Sequence, residues 1–74
     1  MDVTPYFSNV VVKRRPYVTV SACEQVIRNS VKAEVQTDGR VRYWGRHEGR
    51  WLRVVVEDGA LHNAFYDRGF THED

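Results

Sequence analysis

Three acid–glycine pairs, Asp38-Gly39, Glu48-Gly49 and Asp58-Gly59, constrain this chain more than any other feature. Each separates runs of alternating apolar and polar residues, and glycine accepts the positive φ that a tight hairpin turn demands. The runs on either side, beginning at Val31, Arg40, Arg50 and Ala60, are rich in β-branched and aromatic residues, which favour a pleated, half-buried surface. The sequence predicts a four-stranded antiparallel meander.

Register decides which side chains share a face, because a slip of one residue reverses all of them. A two-residue turn at Glu48-Gly49 sets Val41 opposite Val56, Tyr43 opposite Val54, Trp44 opposite Arg53 and Arg46 opposite Trp51. The same turn at Asp58-Gly59 pairs Val56 with Leu61, Val55 with His62, Leu52 with Phe65 and Trp51 with Tyr66. For the first hairpin, a three-residue loop ending in a left-handed Gly39 pairs Val35 with Val41, Ala33 with Tyr43 and Glu34 with Arg42. One face then collects Val31, Ala33, Val35, Val41, Tyr43, Leu52, Val54, Val56, Leu61 and Phe65, the expected core. The other collects Glu34, Gln36, Arg42, Trp44, Arg46, Trp51, Arg53, Val55, His62 and Tyr66.

That second face interleaves arginine with large aromatics. Such a surface suits phosphate and base stacking, and aromatics gathered in one exposed patch mark a contact site. A solvated sheet surface whose tryptophans cover arginine stems has the same composition. The net charge of +1 hides an asymmetry: residues 40–53 carry five arginines against one acid, Glu48, while Glu57, Asp58, Glu73 and Asp74 lie further on. Nine of the eleven basic residues are arginine. A local positive field of this kind attracts polyanions.

At 74 residues there is room for a single domain with one small core. One cysteine, Cys23, excludes an internal disulfide and fits a reducing cytoplasm. It reads as a small packed apolar residue. No stretch has the length of a membrane span, and the N-terminus lacks a signal-peptide pattern, so a soluble, cytoplasmic protein is expected. The pattern leaves the oligomeric state open, since edge strands in so small a sheet can pair between copies.

Ahead of the meander, Thr4-Pro5 starts a helix with Thr4 as N-cap, carrying Phe7, Val10 and Val11 and stopping at Pro16. The run Val10–Val12 argues for a strand there instead. Lys13, Arg14 and Arg15 extend the basic surface or serve that helix's C-terminal dipole. Residues 17–20 are extended, and Ser21 to Glu24 form a capping box opening a helix that ends near Asn29-Ser30. Two N-terminal helices on one face of a four-stranded meander define an α+β fold, with the opposite face free for function.

RNA phosphodiester cleavage needs a base for the 2′-hydroxyl, an acid for the leaving oxygen and cations for the phosphorane. His62 fits the acid or base role, as its ordinary pKa lies near neutrality. Tyr66, four residues on, is expected on the same face. Arg42, Arg46 and Arg53 supply positive charge, and Trp44 and Trp51 supply stacking surfaces. Glu34 is a second candidate base, or a structural partner of Arg42. A surface histidine with no task is the plainer reading of His62 taken alone. His47, His72, His62 and Cys23 lack the spacing of a metal-ligand set, and no Ser–His–Asp grouping, Walker loop or dinucleotide fingerprint is present, so no cofactor is expected.

The basic element Val12-Lys13-Arg14-Arg15-Pro16, the capped helix, and the runs DGRVRYWG, GRWLRVVVEDG and HNAFYDRGF together resemble small toxins of the RelE/ParE superfamily. The likeness runs from about Pro5 to Phe70 and is nearest to BrnT-like members and their short relatives. It implies a compact RelE-like toxin of a type II toxin–antitoxin system, an endoribonuclease of the mRNA interferase type. It further implies action on RNA, often on the ribosome, and neutralisation by a cognate antitoxin protein. By the same resemblance His62, Tyr66, Arg53 and Arg68 are the expected catalytic positions; from the chemistry of the face and of the basic helix end, Arg42, Trp44, Arg46, Trp51, Lys13 and Arg14 are expected to contact RNA. A non-catalytic nucleic-acid-binding or protein-interaction module of the same fold is the alternative.

Overall fold

Both two-residue turns form as the acid–glycine pairs demand. Glu48 and Gly49 have φ of 55° and 75°, and Asp58 and Gly59 have 48° and 78°, the doubly left-handed pattern of a type I′ turn. In this computed structural model, which describes residues 1–72, the turns join a four-stranded antiparallel sheet. Its strands, β1 (Lys32–Val35), β2 (Val41–His47), β3 (Arg50–Glu57) and β4 (Ala60–Tyr66), lie side by side in chain order. The terminal acids Glu73 and Asp74 lie outside the described residues.

Two short helices complete an α+β architecture. The first, α1, combines a π-helical turn, Phe7–Val11, with an α-helical turn, Val12–Arg14, so the three valines are helical rather than extended. The Thr4 hydroxyl accepts the Phe7 N–H at 3.2 Å, as an N-cap should. The second helix, α2 (Val20–Arg28), starts earlier than the capping-box pattern implies. Thr19, extended at φ −113° and ψ 160°, is its N-cap and accepts the Ala22 N–H at 3.0 Å. Ser21 therefore falls inside the first turn, and Glu24 pairs with the N-terminal ammonium at 3.2 Å.

The core lies between these helices and one face of the sheet. Phe7, Val11, Val18, Cys23 and Val26 meet Leu52, Val54, Val56, Leu61 and Ala64, all buried. Burial pushes the Cys23 thiol up to about 12, so it packs as an inert apolar group. Gly45 lets α2 lie close on β2: a Cβ there would meet the Val26 carbonyl oxygen at 3.0 Å. Beside β4, the Asp2–Thr4 segment adds a short parallel bridge, Val3 against Leu61. Thr4 N–H donates to the Leu61 carbonyl and Leu61 N–H to the Asp2 carbonyl, both at 2.8 Å.

The first two hairpins have the expected registers, Ala33 opposite Tyr43 and Tyr43 opposite Val54. The third does not. Val56 meets Leu61, but a β-bulge between Val55 and Val56 shifts everything beyond it, so Val55 meets Asn63, Arg53 meets Phe65 and Leu52 meets Tyr66. Phe65 leaves the expected core face and Ala64, fully buried, takes its place. Tyr66 moves the other way, onto the helix side. A second correction concerns β1: Val31, Ala33 and Val35 are exposed, Val35 to 74%, because α2 packs on β2, β3 and β4 and leaves the edge strand uncovered.

Candidate nucleic-acid interface

The sheet face turned from the helices carries Arg42, Trp44 and Arg46 from β2, Trp51, Arg53 and Val55 from β3, and His62, Asn63 and Phe65 from β4. Strand alternation places them together, as the register requires. Arginine and aromatic rings do interleave. The Arg46 guanidinium lies 4.1 Å from the Trp51 ring centre, and that of Arg53 lies 4.3 Å from Phe65.

Most of the charge on this wall is already countered within the chain, although the buried Arg53 Nε makes no hydrogen bond. Arg42 pairs with Glu34 at 3.6 Å, Arg40 with Glu57 at 3.5 Å and Arg53 with Asp67 at 3.7 Å. Residues beyond β4 fold back over the tryptophans. The Asp67 carboxylate accepts the Trp44 indole N–H at 3.0 Å and the Gly69 N–H at 3.1 Å, forming a turn. That turn lays Phe70 on Trp44, with ring centres 5.1 Å apart and nearly parallel, and sets it edge-on to Trp51 at 5.2 Å. Trp44 is left only 5% exposed and offers no face to a base. The hydrogen bond from Trp44, helped by the Arg53 charge, holds the Asp67 carboxyl below its ordinary range against the opposing effect of burial.

His62 and Tyr66 do not share a site. At the bulge, His62 Nδ1 lies 3.0 Å from the Thr4 hydroxyl and 3.2 Å from a Glu57 carboxylate oxygen, with the Tyr6 ring 5.1 Å away. It lines a shallow hollow with Arg40, Arg42 and Arg53. Tyr66 sits at the far end of β4, stacked on Tyr17 at 4.7 Å, its hydroxyl 2.8 Å from His47 Nδ1. The bulge is the reason: it breaks the parity that would have put residues 62 and 66 on one face.

A cleft of about 750 Å³ opens at this far end, lined by Arg15, Arg46, Arg50 and Arg68 with Tyr17, Trp51, Phe65, Tyr66 and Asp67. Tyr17, Arg50 and Tyr66 continue it into an adjoining hollow that contains His47. The groove wraps the end of the sheet and draws side chains from both faces. Arg50 lies over the Tyr66 ring at 5.0 Å, and Arg15, from the end of α1, over Phe65 at 5.8 Å. Among the described residues none of the four arginines is ion-paired, although Arg46 donates to the Gly49 carbonyl at 3.0 Å. Of the two acids, Asp67 in the cleft is engaged by Trp44 and Arg53, and Glu48 lines the adjoining hollow. Guanidinium groups and aromatic rings of this kind have the chemistry to hold phosphate oxygens and planar rings.

Of the residues singled out in the sequence, Arg46, Trp51, Tyr66 and Arg68 meet in this groove; Arg42, Trp44, Arg53 and His62 do not complete it. Lys13 and Arg14 are exposed on α1 beside Arg15 without lining it. Sequence reasoning passed over Arg50, Tyr17 and His47, which sit at or next to turns. Asp67-Arg68-Gly69 carried a usable signal, as Asp followed two residues later by Gly favours a side-chain-closed turn. Burial is the main influence raising the Tyr66 hydroxyl above its ordinary value, and Arg50 opposes it, so Tyr66 stays protonated at neutral pH. Among the described residues no three His, Cys, Asp or Glu side chains gather as metal ligands, and no helix is long and apolar enough to cross a membrane. Comparisons with protein-family models, curated proteins and solved structures return no match to this chain.

Proposed function

We propose that this chain is an RNA-cleaving toxin of a toxin–antitoxin pair, working without a metal, and that its working surface is the arginine-lined groove at the end of the sheet. The observation that carries the reading is the convergence of Arg15, Arg46, Arg50 and Arg68 around Trp51, Tyr17 and Tyr66. The toxin class rests on the resemblance in the sequence; the choice of surface rests on the groove.

In this scheme the guanidinium groups seat the phosphate and Trp51 stacks a base. His47 donates Nδ1–H to the Tyr66 oxygen across their 2.8 Å contact, which leaves Nε2 as a base. Nε2 takes the 2′-hydroxyl proton, the 2′-oxygen bonds to the adjacent phosphorus, and the phosphorus–5′-oxygen bond breaks. The leaving oxygen receives the Tyr66 hydroxyl proton, giving a 2′,3′-cyclic phosphate and a 5′-hydroxyl end. Arg50, over the Tyr66 ring, stabilises the phenolate and the phosphorane charge.

Purified protein incubated with RNA, with and without ribosomes, is expected to release fragments ending in cyclic phosphate, and its expression to slow growth. Intact RNA under both conditions together with normal growth would sink the proposal. A second reading, nucleic-acid binding without cleavage, is favoured by the stacked Tyr17–Tyr66 pair, whose mutual packing is also what a purely structural tyrosine shows. Salt-sensitive binding with no substrate consumed identifies that case.

A further inference from the structure

We infer that β1 is a self-complementary edge through which two copies of this chain join their sheets about a twofold axis at Ala33. The inference is independent of the groove, which lies at the end of β4.

The strand reads Val31-Lys32-Ala33-Glu34-Val35. Laid antiparallel on itself with Ala33 opposite Ala33, it places Lys32 of one copy against Glu34 of the other, twice, and Val31 against Val35, twice. Every cross-strand pair is then of opposite charge or apolar, the arrangement that stabilises neighbouring strands. A slip of one residue loses both properties at once.

The edge is available for this. β1 is an edge strand of the sheet, with no strand beyond it among the described residues, and all four of its residues are exposed. Gln36 N–H donates to the Arg40 carbonyl at 2.7 Å, so by antiparallel alternation Lys32 and Glu34 also turn their backbone groups to β2. Ala33 and Val35 turn theirs outward, and two Ala33 residues on the axis exchange a reciprocal pair of hydrogen bonds. Lys32 and Glu34 then fall at the non-hydrogen-bonded positions, where side chains of facing strands come closest. Within one copy Glu34 already lies 3.9 Å from Lys32 and 3.6 Å from Arg42, so a second copy brings two such three-charge groups side by side. The apolar side of the same strand gathers Val31 and Val35, 40% and 74% exposed, from both copies into one patch on the helix side. Isologous closure of this kind is the commonest form of self-association. The shared ladder is short, because the Val31 N–H is already given to the Trp44 carbonyl at 2.9 Å, so a weak dimer is expected.

Sedimentation equilibrium over a range reaching millimolar protein is expected to show reversible association to twice the mass of the chain. Lys32→Glu alone and Glu34→Lys alone each put like charges opposite one another at two places, and each is expected to weaken self-association about tenfold or more. Mixing the two variants restores opposite charges at both charged positions, so the mixture is expected to associate as heterodimers more tightly than either variant associates by itself. Circular dichroism confirms folding, and the Ala33 and Val35 amides are expected to exchange more slowly as wild-type concentration rises. A monomer at all concentrations overturns the inference. So does a dimer that both single variants form as tightly as the wild type.

Discussion

On the outer wall Arg42 meets Glu34 at 3.6 Å and Arg53 meets Asp67 at 3.7 Å, and Trp44 lies beneath Phe70. At the end of the sheet, Arg15, Arg46, Arg50 and Arg68 face an open cleft with no ion pair among the described residues. The two regions share a composition of arginine and aromatic rings. They differ in whether an acid or a folded-back segment reaches them first. Arginine beside tryptophan is thus open to a ligand only where no acid of the chain pairs with it, and on the wall Glu34 and Asp67 do so.

The widest separation between the two regions is expected in catalysis. His47→Gln should lower RNA cleavage about a hundredfold or more while leaving binding intact, as loss of a general base does. His62→Gln on the wall should leave the cleavage rate unchanged; single-turnover assays on both variants make the comparison, and the reverse ranking returns the active surface to the wall. Next comes binding. Replacing Arg50 and Arg68 together by alanine should weaken RNA affinity about tenfold and reduce the dependence of affinity on salt by about two phosphate contacts, whereas Arg42→Ala should change neither. Fluorescence titrations at several salt concentrations read both quantities.

Asp67 links the regions, and Asp67→Asn tests that link. Loss of the charge from its bonds to Trp44 and Arg53 should cost about 1–2 kcal/mol in urea unfolding. The pH dependence has a definite sign. The folded carboxyl titrates below its ordinary value of 3.8, so its contribution is present above that pH and is lost as pH falls through the lower folded value. Wild type should therefore lose stability more steeply than Asp67→Asn below about pH 4. The variant should also expose Trp44, and a rise in its RNA affinity would show that the wall is closed by this one carboxylate. The smallest effect is expected at Glu34→Gln, within about 0.5 kcal/mol, because its pair with Arg42 is solvent-exposed.

The turns and the first two registers were legible because positive φ at Glu48-Gly49, Asp58-Gly59 and Gly39 leaves few alternatives. The bulge was not, although one residue hinted at it. A regular β4 would put Asn63 between Leu61 and Phe65 on the core face, a polar group without a partner. The bulge turns Asn63 away and seats Ala64 instead. That single insertion moved Tyr66 to the helix side and separated it from His62. The exposure of β1 was illegible for another reason: alternation identifies a face, but how far a nine-residue helix reaches across it depends on packing. The groove escaped because it draws on the end of α1, three strand ends and the segment after β4, and no periodicity connects these.

The short bridge between Val3 and Leu61 has a bearing on how far association can proceed. It takes up the start of the β4 border, where the Thr4 N–H donates to the Leu61 carbonyl and the Leu61 N–H to the Asp2 carbonyl. A strand from another copy docking there has to displace that segment or begin beyond Leu61, an obstacle that pairing through β1 does not meet. Growth beyond a pair is thereby confined to the shorter stretch of β4 after Leu61.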